Sequence, residues 1–272
     1  WFQYPILLRD VIDQLDDHYA IRSLGAAGDL MSDIDAQDEL IATIAAERPD
    51  GVLLSGGGND LLGDGRLLRA LRHFDASFSV EDYISEEFER ALREVIALYR
   101  HLLARIVRGF PGLPVFCHGY DHAVPARGRW LGRPLEDLGI RDTALQRALV
   151  SHLVDRFYGA LDALVREPAF DGAVEVVDCR SVVKADWHDE LHPTSEGYRR
   201  VADLFHARIS SRISAEATRE SLALSSRPRP IDELGAAAEQ MADRLSEEAL
   251  MAEIGRRSLL LSADPETLPR AV

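Results

Sequence analysis

Four short apolar runs, at residues 20–24, 51–55, 113–118 and 173–179, alternate with stretches long enough for amphipathic helices, and this alternation limits the fold more than any other feature of the chain. Residues 6–18 put Leu7, Leu8, Val11, Ile12 and Leu15 on one face of a helix, and further helices are expected over 36–47, 81–109, 143–167 and 194–213. Strands separated by helices do not pair as hairpins; they pair in parallel, with crossover helices covering both faces of the sheet. Such an α/β fold gathers its functional loops at the carboxyl ends of the strands.

The 272 residues allow one sizeable domain with an appendage, and 46% hydrophobic and 28% charged residues suit a globular core. The formal charge of −15 argues against nucleic acid and against anionic membrane surfaces as partners. No run reaches the roughly 18 to 20 apolar residues of a membrane span. Cys117 and Cys179 form neither a disulfide framework nor a zinc motif. Both end expected neighbouring strands, so two buried, unbridged thiols near each other are expected. Beyond residues 1–215 the pattern changes. Residues 216–230 read as a linker containing Ser225-Ser226-Arg227-Pro228-Arg229-Pro230, and 231–272 as a helical extension. Its Leu234, Met241, Leu245, Met251 and Ile254 can dock on the domain or support self-association.

Three segments that follow expected strands carry groups suited to acyl chemistry. In Asp189-Glu190-Leu191-His192-Pro193 an Asp and a His three residues apart can form the orienter and base of a Ser-His-Asp triad. The same spacing also suits a surface turn that opens a helix at Thr194-Ser195-Glu196-Gly197. The run Val52-Leu53-Leu54 enters a glycine turn, Ser55-Gly56-Gly57-Gly58-Asn59-Asp60, where the Asn59 amide can donate to a developing oxyanion or cap a helix. Gly25-Ala26-Ala27-Gly28-Asp29 makes another turn, and the Gly28 N–H is a candidate second donor. The connection 119–138 leaves a further strand end, with Tyr120, His122 and Trp130 as candidate substrate contacts or as packing residues. His188 and His192, four apart, approach the zincin pattern His-Glu-x-x-His. Asp189 stands where that pattern needs Glu, and Pro193 disfavours helix at His192, so no metal site is assigned.

Taken in order, Gly28, Gly-Gly-Asn59-Asp60 and Asp189-x-x-His192 resemble the blocks of the SGNH (GDSL) hydrolase superfamily over roughly residues 1–215. The resemblance implies a flavodoxin-like three-layer α/β/α fold with a parallel sheet. It also implies His192 and Asp189 as catalytic residues, and Gly28 and Asn59 in an oxyanion hole. The family's nucleophile lies in Gly-Asp-Ser after the first strand, and that tripeptide is absent from this sequence. Trp1-Phe2-Gln3-Tyr4-Pro5 resembles the segment that follows Gly-Asp-Ser in one bacterial branch, so the serine and a central strand are expected upstream of Trp1. Ser55 and Ser195 lie on no Gly-x-Ser-x-Gly elbow and are not nucleophile candidates. The implied activity is hydrolysis of a small-molecule ester through an acyl-enzyme, with no cofactor. The alternatives are a non-catalytic binding module on the same fold and a zinc hydrolase using His188 and His192.

Overall fold

A computed structural model describes residues 1–2, 8–36, 38–63 and 65–225, with side chains described as far as residue 215. In chain order the elements are α1 (Val11–Leu15), α2 (Met31–Ala36), α3 (Asp38–Glu47), β1 (Val52–Leu54), α4 (Gly58–Leu62), α5 (Leu67–Ala70), α6 (Glu86–Gly109), β2 (Val115–His118), α7 (Gly132–Asp137), α8 (Thr143–Val165), β3 (Val174–Val177) and α9 (Ser195–Ser225). The three strands form a parallel sheet in the order β1-β2-β3. Leu53 lies opposite Phe116, and Phe116 opposite Glu175.

Strand residues alternate between two apolar layers, as a period of two requires. Val52, Leu54, Val115, Cys117 and Val174 enter a core shared with α6 and α8. Leu53, Phe116 and Val177 enter a second core with α1 and α9. Helices therefore cover both faces. α6 shows why its sequence folds this way: Ser85 accepts the Phe88 N–H at 3.1 Å as a cap, and Phe88, Leu92, Val95, Tyr99, Leu103 and Ile106 form one buried stripe at spacings of three and four. Each such side chain contributes about 1.5 to 3 kcal/mol on burial.

Several boundaries differ from the sequence expectations. Residues 20–24 do not form a strand; only Ile21 makes a single bridge. A ladder needs a neighbouring strand to supply hydrogen-bond partners, and none of the described strands flanks this segment. The helix expected over 6–18 is described only from Val11, where Asp10 closes a capping box with Asp13; Ile6 and Leu7 lie outside the described residues. The stretch 81–109 breaks into a 3-10 turn at Glu81–Tyr83 and α6, because Ile84 is extended and Ser85 caps a new start. α9 continues to Ser225, through residues 216–225 where a linker was expected. Leu234, Met241, Leu245, Met251 and Ile254 lie outside the described residues. No described helix is long and apolar enough to cross a membrane.

Candidate active site

Residues 187–193 form a tight hairpin, closed by an antiparallel bridge between Trp187 and Pro193. The His188 and Asp189 N–H groups donate to the His192 carbonyl at 2.8 and 3.2 Å. Within the turn the Asp189 carboxylate accepts the Leu191 and His192 N–H groups at 2.8 Å each. Its two oxygens lie 3.0 and 2.9 Å from His192 Nδ1. That contact puts the hydrogen of a neutral ring on Nδ1 and leaves Nε2 as the basic nitrogen. Partial burial alone would raise the Asp189 carboxyl, but the Leu191 N–H and the His192 ring and N–H hold it below the usual range. Immediately afterwards Thr194 Oγ1 accepts the Gly197 N–H at 3.2 Å and starts α9. The pairing of Asp189 with His192 and the helix-opening turn are therefore one local structure. His188 and His192 share no helical face, since the hairpin is not helical. Among the described residues no group of three or more His, Cys, Asp or Glu side chains is placed to hold a metal ion.

The glycine turn after β1 builds a second set of polar groups. Gly57 has φ +90°, and a Cβ there would meet Phe157 Cζ at 2.9 Å and Val95 Cγ1 at 3.0 Å. Tyr99 Oη donates to the Gly56 carbonyl at 3.0 Å and accepts the Gly56 N–H at 3.1 Å, which fixes the turn from beneath. α4 then points Asn59 and Asp60 at the segment 29–31. Asn59 Nδ2 donates to the Asp29 carbonyl at 3.0 Å, and the Asp60 carboxylate accepts the Met31 N–H at 2.9 Å. Burial raises the Asp60 carboxyl despite that bond. The clamp brings Asn59 and the Gly25–Asp29 turn together. Gly28 has φ +94°, and its N–H has no hydrogen-bond partner among the described residues. Asn59 has two amide hydrogens and spends one on Asp29. Sequence reading missed the role of Asp60, although its place directly after Asn59 carried the signal.

Aromatic side chains connect the two halves. The Gly58 N–H donates to Tyr120 Oη at 3.3 Å; the Tyr120 ring lies 5.4 Å from that of Trp1, whose Nε1 donates to the Leu191 carbonyl at 3.0 Å. Behind this wall, fully buried His118 lies 2.8 Å from Ser55 Oγ through Nε2 and accepts the Tyr120 N–H on Nδ1 at 3.2 Å. Nε2 therefore carries the hydrogen and donates to Ser55. Burial pushes the His118 pKa down to about 3. His118 is thus a donor to Ser55 and not its base, and Ser55 is not activated.

Residues 3–200 match the GDSL-like Lipase/Acylhydrolase family. The chain belongs to that family. Among solved structures it is similar to a carbohydrate esterase family 3 protein from Talaromyces cellulolyticus, with 14% identity, 69% of each chain covered and a TM-score of 0.44. It is also similar to the lipase Lip_vut3 from a goat rumen metagenome, with 18% identity over 65% of this chain and 73% of that one, at a TM-score of 0.43. No curated protein sequence matches it.

In this family member two buried carboxylates tie the loop after β2 to the segment that carries His192. Asp121, which follows β2, accepts the Val183 N–H at 2.7 Å and the His122 N–H at 2.6 Å. Glu190, between Asp189 and His192, accepts five backbone N–H groups. Those of Ala126, Gly128 and Gly132 reach Oε1 at 2.8, 3.1 and 2.8 Å, and those of Trp130 and Leu131 reach Oε2 at 3.0 and 2.9 Å. A Cβ at Gly132 would lie 1.3 Å from the Ala126 carbonyl oxygen, so only glycine fits that wrap. Of the three loop residues that were candidate substrate contacts or packing residues, Tyr120 turns inward to Gly58, and the Arg129 guanidinium lies over the Trp130 ring at 4.1 Å. His122 pairs with Asp155 at 3.0 Å on the rim of a cleft that also reaches Asp189.

Proposed function

We propose that the protein is a serine-dependent ester hydrolase that works through an acyl-enzyme, with His192 as base and Asp189 as its orienter. The observation that carries this reading is the Asp189–His192 Nδ1 contact at 2.9 Å, which presents Nε2 as the proton acceptor. Membership of the acylhydrolase family supports ester hydrolysis in general. In the proposed sequence the serine Oγ attacks the ester carbonyl while His192 Nε2 takes its proton, and Asp189 stabilises the imidazolium. The proton then passes to the departing alcohol, and water repeats the cycle on the acyl-enzyme. The Gly28 N–H, the second Asn59 amide hydrogen and the serine's own N–H would receive the oxyanion, each donor lowering the barrier by about 3 kcal/mol.

The nucleophile, in this reading, is a serine preceding Trp1. Three facts support it: Gly-Asp-Ser is absent from the sequence, Ser55 receives a hydrogen bond from neutral His118, and the Trp1 indole bonds to Leu191 beside His192. The test is labelling by a fluorophosphonate of protein that includes the residues encoded before Trp1, followed by peptide mass spectrometry. The label is expected on a serine just upstream of Trp1 and abolished in His192→Ala; a label on Ser55 or Ser195 would falsify the assignment.

A further inference from the structure

The cleft lined by His188 and Asp189 also gathers three cationic side chains. It has a volume of about 870 Å³, within the range of small-molecule sites, and its lining includes Arg127, Arg147 and Lys184 together with Ser151, Asp189 and Glu190. The chain carries a net charge of −15; some described arginines are ion-paired, as Arg100 with Glu167, Arg156 with Glu89 and Arg180 with Asp155 and Asp178, and others, such as Arg90, Arg93 and Arg141, are not. The side chains of Arg127, Arg147 and Lys184 make no ion pair or hydrogen bond among the described residues.

The two carboxylates of the cleft form no ion pair with them, which leaves the lining with three cations against two carboxylates. Glu190 is buried and saturated by five backbone N–H groups, and Asp189 is engaged by His192 and two backbone N–H groups. Three cations are thus gathered on one cleft of an acidic protein. Lys184 is the chain's single lysine. Its backbone sits in the left-handed region at φ +61°, uncommon for a residue with a Cβ. The neighbouring turn is fixed by Asp121 through Val183 N–H. Arg147 and Ser151 are one turn apart on α8 and share a face, adding a forked guanidinium and a hydroxyl to the same wall.

We infer that this cleft is an anion subsite, and that the ester substrate carries a carboxylate or phosphate group which Arg127, Arg147 and Lys184 receive while the ester carbonyl faces His192. The inference rests on the hydrolase reading and adds the substrate class to it. An oxyanion at this place gains charge-assisted hydrogen bonds from arginine and a point charge from lysine. It is also attracted into a cleft of opposite sign on a molecule that otherwise repels it.

Two pairs of anionic and neutral esters test it in the hydrolytically active protein. The anion sits on the acyl side in para-nitrophenyl adipate monoester against para-nitrophenyl hexanoate, and on the alcohol side in para-acetoxybenzoate against its methyl ester. One pair is expected to show kcat/KM at least tenfold higher for the anion. That ratio should fall about tenfold, or about 1.4 kcal/mol, in the double variant Arg147→Gln with Lys184→Gln, and should shrink as salt is added. A ratio of one or less in both pairs, or a ratio unmoved by the double variant, overturns the subsite while turnover of the neutral esters leaves the hydrolase reading intact. If no ester of either kind is cleaved, the hydrolase reading fails instead. Calorimetric titration with adipate or inorganic phosphate then decides the subsite: heat that disappears in the double variant supports an anion site, and no heat in the wild type removes it.

Discussion

At the scale of single residues, the two histidines of the hairpin face opposite tests. His192 holds its Nδ1 hydrogen on Asp189, whereas His188 contributes its backbone N–H to the same turn. In protein containing the nucleophile, His192→Ala should lower kcat by about a thousandfold or more with an unchanged melting temperature, and His188→Ala should cost under about tenfold. Equal losses would count against the assignment. Asp189 also sets a pH dependence of stability. Its folded carboxyl lies below its unfolded value, so its contribution is fully present above the unfolded pKa and is lost as pH falls through the lower folded one. Thermal melts should therefore lose stability below about pH 4, and Asp189→Asn should lose less over that window than the wild type. A parallel fall in the two proteins would remove this carboxylate from the acid response. The Asp-x-x-His pair was legible in the sequence because its geometry is local, three residues of chain in one turn. The tautomer of His118 was not, because Ser55 and Tyr120 approach it from two different strand ends.

At the scale of elements, the wrap of residues 126–132 around Glu190 is the part of the site most dependent on one side chain. Glu190→Gln keeps the volume but turns two donors toward a ring of five N–H groups. It should cost about 2 to 4 kcal/mol in urea unfolding and raise KM for esters more than it lowers kcat, since the wrap borders the cleft without touching the reacting atoms. A loss below about 0.5 kcal/mol would show that the loop is held elsewhere. The glycine turn offers a contrast. Gly57→Ala meets Phe157 and Val95 at a left-handed backbone and should destabilise by about 1 to 3 kcal/mol, whereas Gly109→Ala, in open space on helical backbone, should be neutral or stabilising by about 0.5 kcal/mol. Helices α6 and α8 were legible because their apolar period runs over more than twenty residues. Residues 20–24 have the composition of a strand, yet composition says nothing about whether a neighbour is present to pair with. Glu190 escaped notice because its partners are backbone groups some 60 residues away, invisible to any pattern of side chains.

At the scale of the whole molecule, strand-helix alternation was enough to foresee a parallel sheet with helices on both faces, and the two apolar layers observed realise it. Cys117, in β2, and Cys179, two residues beyond the end of β3, are both buried and free, and they pack in different layers: Cys117 with α6 and α8, Cys179 with α1 and α9. Burial pushes the Cys117 thiol up to about 12 and the Cys179 thiol upward as well. Both should resist a thiol reagent in the native protein, and two should react once it is denatured without reductant; none reacting then would mean an oxidised pair. The placement of one sulfur on each side of the sheet has a further use. Native-state labelling rates at Cys117 and Cys179 report separately how often each layer exposes its interior, so identical rates mean a single cooperative unit, and faster labelling of Cys179 means that the layer bearing α1 and α9 breathes on its own.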